Sequence, residues 1–155
     1  MRRWRRWWVD RLGDDGGSAS LEFVSAGLIL LLPLVYLVLT MSAIQGAALA
    51  TEGAARQAVR VFVQAQDSDH GAAEAQRAVD FALADYGLNG SDARVAVRCA
   101  PHPTDCLTRR GRVTVTVAVS VPLPLVPPAL TVTAPLAVPL EGTASEQVSR
   151  FWGTR

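Results

Sequence analysis

The sequence predicts an α+β membrane-anchored protein: a single N-terminal transmembrane helix continuing into an amphipathic helix, a second helix, then a small antiparallel sheet of about three strands. Three observations carry this. The stretch from Phe23 to Ile44 holds no charge and is long enough to cross a bilayer. The residues after it repeat with helical spacing to about Tyr86, and the second half of the chain alternates with the two-residue period of strands. At 155 residues, 50% hydrophobic and 19% charged, the chain has room for one span and one outer domain, and it is too apolar to be disordered over most of its length. Fifteen basic residues, all Arg, against 14 acidic ones leave a net charge of +1, and aromatic content is 6%, so no nucleic-acid partner is expected.

Residues 1–17 form a basic leader with five Arg and three Trp, residue types that favour a membrane–water boundary. Arg2-Arg3 and Arg5-Arg6 resemble a twin-arginine export signal, but the apolar run starts too far downstream. The transmembrane helix is assigned to residues 23–45. A helix over its 22-residue uncharged run would extend roughly 33 Å, against about 30 Å of hydrocarbon. Pro33 is expected to kink it without preventing insertion. Five Arg precede the span, and only Arg56 and Arg60 follow closely. The N-terminus is therefore expected in the cytoplasm, and residues 46–141 are read as an extracytoplasmic α+β domain of a single-pass cell-membrane protein.

Beyond the span, Ala55, Ala58, Val59 and Phe62 fall on one helical face and Arg56, Arg60 and Gln64 on another. Asp67-Ser68-Asp69 interrupts this helix and can cap a second, which carries Ala75, Val79, Ala82 and Tyr86 on its apolar face, with Gly87 as the left-handed stop. Asn89-Gly90 signals a turn. Ala93 to Cys99 alternates, and Arg112 to Val121 is the clearest strand, with five Val facing one way and Thr, Ala and Ser the other. Leu130 to Leu140 alternates as well, but Pro135 and Pro139 confine it to a sheet edge. Residues 142–155 read as a flexible tail. Three strands alone are marginal, so this sheet needs the helices against it.

Cys99 and Cys106 flank a loop with two Pro between strands, and outside the cytoplasm they are expected to form a disulfide. The competing metal site would use Cys99, His102 and Cys106, but no fourth ligand completes the set. No nucleophile elbow, no catalytic Ser or Cys beside a His and no phosphate-binding Gly loop is present, so neither an enzyme nor a cofactor is expected.

The junction between leader and span is more informative. Glu22 opens the apolar run, where an ionised side chain would cost about 2.5–3.5 kcal/mol at mid-bilayer and less near the surface. By itself it marks the headgroup boundary and favours the helix N-terminus through the macrodipole. Its neighbours add to this. Gly17 followed by Ser18-Ala19-Ser20-Leu21-Glu22-Phe23 resembles the processing site of type IV prepilins, in which a membrane prepilin peptidase cuts after a Gly and a Glu stands fifth after the cut. Glu followed by an aromatic residue and then the span is most similar to the Flp subclass and its TadE-like pseudopilins. The stretch Ala50-Thr51-Glu52-Gly53-Ala54-Ala55-Arg56 resembles the helix that follows the span in that family. Asp14-Asp15-Gly16-Gly17 departs from the family pattern, which places a basic residue beside the cut. The resemblance implies cleavage after Gly17, a new α-amino group on Ser18 one helical turn from Glu22, and association with membrane lipid and with other pilin-like or Tad assembly proteins during construction of a Flp-type (tight adherence) pilus or related secretion apparatus. Two rivals stand beside it. Ala48-Leu49-Ala50 fits signal peptidase, which would release residues 51–155, and a membrane-anchored extracytoplasmic binding module is the other.

Overall fold

The structure is a computed structural model that describes residues 18–124 and 137–153. The basic leader, Gly17 and the start of the expected strand at Leu130 lie outside the described residues. The chain divides into two compact units, Met1–Leu39 and Thr40–Arg155.

Helix α1 runs unbroken from Ser18 to Gln64, through Pro33. Its part in the first unit has no core. Every residue from 19 to 39 is exposed, including Phe23 at 80% and Ile29 at 75%. By length and composition this is a candidate membrane span, with a mean hydropathy of 2.4 over its most apolar window.

Within the second unit the helix changes character. Ala47, Ala50, Thr51, Ala54, Ala55, Ala58, Val59, Phe62 and Val63 are buried, the spacing of one helical face, while Glu52, Arg56 and Arg60 are exposed. Helix α2, Ser68–Ala84, returns antiparallel to α1: Gly71 lies against Phe62, and Tyr86, just past its end, reaches Gly46. Asp67 caps it, its Oδ1 accepting the His70 backbone N–H at 2.8 Å and its Oδ2 bonding the His70 ring at 2.8 Å. These bonds favour the carboxylate and hold its pKa below the ordinary value of 3.8. Gly87, at φ +69°, ends the helix as the sequence indicates. Its N–H donates to the Ala84 carbonyl, and that of Leu88 to Leu83.

The buried face of α2 is Gly71, Ala75, Val79 and Leu83, which corrects part of the sequence reading. Ala82 is only half-buried and Tyr86 is 54% exposed. The stripe advances by four residues per step, and Tyr86 falls beyond the last helical residue, so extrapolating the period overshoots.

A 3-10 turn, Gly90–Asp92, leads into the sheet of β1 (Arg94–Ala100), β2 (Arg112–Pro122) and β3 (Ala137–Gln147), all antiparallel and ordered β1-β2-β3. Val113, Val115, Val117, Val119 and Val121 point inward from the central strand. They share one core with the buried faces of both helices, the support that three strands require. On the opposite face, Thr114 bonds Ser145 at 2.8 Å and Thr116 bonds Thr143 at 3.1 Å across β2 and β3.

The reading of residues 142–155 as a flexible tail needs correction. Residues 142–147 belong to β3, and Val148 is buried. The Trp152 indole N–H donates to the Ala65 carbonyl at 3.2 Å, and the Arg109 Nε–H donates to the Trp152 carbonyl at 3.0 Å. Polar residues hid this strand because β3 is an edge: Thr143, Ser145 and Gln147 face water, whereas Gly142, Ala144 and Val148 face inward.

Candidate functional site

Ser18 is the first residue of α1, and Glu22 and Phe23 stand one turn further on, both exposed. Residues four apart on a helix lie one turn from each other, the spacing of positions 18 and 22. Gly17 falls outside the described residues.

The Ala-Thr-Glu-Gly-Ala-Ala-Arg stretch divides cleanly between core and surface. Ala50, Thr51, Ala54 and Ala55 are buried, and Glu52 and Arg56 form an exposed ion pair at 2.6 Å. Such an exposed pair contributes little to stability. Thr51 is the buried polar side chain among the described residues, and its hydroxyl donates to the Ala47 carbonyl at 2.7 Å. Directly against it lies Gly142 of β3. A Cβ at that position would sit 2.7 Å from the Thr51 carbonyl carbon and oxygen. Helix backbone and strand backbone therefore touch without an intervening side chain, which only Gly permits here.

The same geometry bears on Ala48-Leu49-Ala50. Leu49 is 66% exposed, but Ala50 is in the core and Ala47 with it. A cut after Ala50 would pass through the middle of a buried helical face and remove the carbonyl that Thr51 bonds.

Cys99, near the end of β1, and Cys106, midway along the loop to β2, are joined in a disulfide with Cα atoms 5.1 Å apart. Both sulfurs are thus committed to each other, which removes two of the three ligands of the alternative metal site with His102. Among the described residues no cluster of three His, Cys, Asp or Glu side chains is arranged to hold a metal. His70 is occupied at the cap of α2.

Sequence reasoning passed over two features. One is Gly142, which falls in the segment that reads as a tail, although a Gly inside a strand is itself a sign of close backbone approach. The other is Phe81, which at 74% exposure is the most exposed large apolar side chain among the described residues of the second unit. Comparison of the chain with protein-family models, with curated proteins and with solved structures finds no match.

Proposed function

We propose that the protein is a TadE-like, pseudopilin-type membrane protein that assists assembly of a Flp-type pilus or a related secretion apparatus. It acts by association and turns over no substrate. The span at 23–45 holds it in the cell membrane with the leader in the cytoplasm and the α+β unit outside, where it meets other pilin-like or Tad assembly proteins.

One observation supports this reading above the others: a single helix is apolar and exposed all round in its first half and buried along one face in its second. From 19 to 39 it has no buried side chain and is almost wholly apolar, and from Ala47 it supplies the buried face of a folded unit. Apolar surface left exposed on every side is stable only in lipid or against similar helices. An outer unit built on the continuation of that helix cannot part from it without losing Ala47 and Ala50 from its core. That favours an anchored protein over a secreted one beginning at Thr51.

Glu22 supplies the specificity. After a cut behind Gly17, the α-amino group of Ser18 can neutralise it within the chain or across to the next subunit, so that spans pack side by side in register. Glu22→Ala is expected to leave membrane insertion intact and to impair assembly of the appendage, scored by electron microscopy of cells carrying the variant. Unchanged piliation with normal membrane levels of the protein would remove this role.

A further inference from the structure

The second unit keeps its charges apart. From Asp67 to Asp92 the sequence carries six carboxylates and one Arg, whereas Arg94 to Arg112 carries five Arg and one Asp. The fold turns this division along the chain into one between two faces. On β1 and β2 the residues pointing away from the helices include Arg94, Arg98 and Arg112, all exposed and none in an ion pair among the described residues. Between them the surface is made of small side chains: Ala96 pairs with Thr116, and Arg94 with Ala118. Glu141, beside Ala118 on β3, is the carboxylate on this face among the described residues. The second surface is the outer stripe of α2. There Glu74 and Phe81 lie on the side of α2 away from its buried stripe, Asp85 stands at the cap just past its end with its backbone still in the helical region, and Arg77 is tied to Glu74 at 2.6 Å.

We propose that the Arg-bearing sheet face of one copy docks on the outer stripe of α2 of a second copy. Phe81 lies on the flat patch of Ala96, Thr116 and Ala118, and Glu74 and Asp85 meet Arg94 and Arg98. An exposed aromatic ring flanked by charges, opposite a shallow patch of small residues flanked by the opposite charge, is the arrangement of an interface anchor with its rim. The two faces differ, so the contact is head-to-tail and does not close after two copies. A twofold dimer through either face would set like charges against each other. This deepens the assembly reading and rests on it for one thing: a common membrane span keeps all copies pointing the same way.

The test uses the full chain in micelles of a neutral detergent, with particle mass measured by analytical ultracentrifugation. In about 10 mM salt the wild-type chain is expected to form dimers and larger species that dissociate in about 1 M salt, as the screening length falls from about 30 Å to about 3 Å. R94E/R98E and E74R/D85R should each be monomeric, and F81A should shift wild type toward monomer without changing the salt trend. An equimolar mixture of the two reversal variants should recover association, since each offers the face that the other has lost. Only folded partners can do this, so recovery also answers a folding defect. Wild type that stays monomeric at low salt, association that both reversal variants retain, or a mixture that stays monomeric would overturn the proposal. So would a wild-type monomer that binds acidic phospholipid vesicles through Arg94 and Arg98, which would assign the face to lipid. Glu22→Ala separates the two levels. If it abolishes association while the reversal variants retain it, span packing stands and the face-to-face contact falls; the converse result leaves the contact and removes the span pairing.

Discussion

At the scale of single residues, the second unit depends on very small side chains in a few places. Gly142 and Thr51 bring strand and helix into backbone contact, and any Cβ at 142 must displace one of them. Gly142→Val is therefore expected to destabilise the unit by roughly 1–3 kcal/mol, the cost of overpacking a filled core. Thermal unfolding followed by circular dichroism on the full chain in detergent would register this as a lower melting temperature, and an unchanged melt would mean that the helix does not rest on the strand there. Much of this level is legible in the sequence where a residue type has one structural use: the two Cys, Gly87 at a helix end and Asp67 at a helix start. Gly142 was not, because Glu141 and the polar residues after it obscure a strand with only one dry face.

Elements were legible to the extent that their periods are unambiguous. The Val/Thr alternation of β2 and the stripe of α1 from Ala55 to Phe62 read directly, because each offers one face to a core and one to water. The third strand did not. Pro135 and Pro139 pull the reading toward the residues before Leu140, and the part of β3 that pairs with Val113 to Val117 is polar on its exposed side. The Cys99–Cys106 bridge ties the end of β1 to the loop that follows it. Cross-linking a loop of this length removes chain entropy from the unfolded state worth roughly 2–3 kcal/mol. The double variant C99S/C106S is expected to melt lower by about that amount, and reduction of the wild-type protein should produce the same shift. Equal melting of the reduced and oxidised forms would mean that the bridge constrains nothing that folding does not already constrain.

For the molecule as a whole, the division of labour lies along one helix. Its first half was the plainest feature of the sequence, since no run of that length and apolarity is needed by a core of Ala and Val. Its second half was legible as amphipathic, but not the way it lays Ala47, Ala50 and Thr51 into the core of the second unit. The role proposed for Glu22 was legible only as a pattern of residue types at the start of the apolar run, and it rests on the proposed cut after Gly17 rather than on packing. The most direct test is the mature N-terminus of the protein in the membrane fraction, read by intact-mass spectrometry. The account predicts a membrane-bound chain that begins at Ser18 and keeps everything after it. A chain starting at Thr51 in the culture medium, or a full-length chain dissolved in the cytosol, would contradict it.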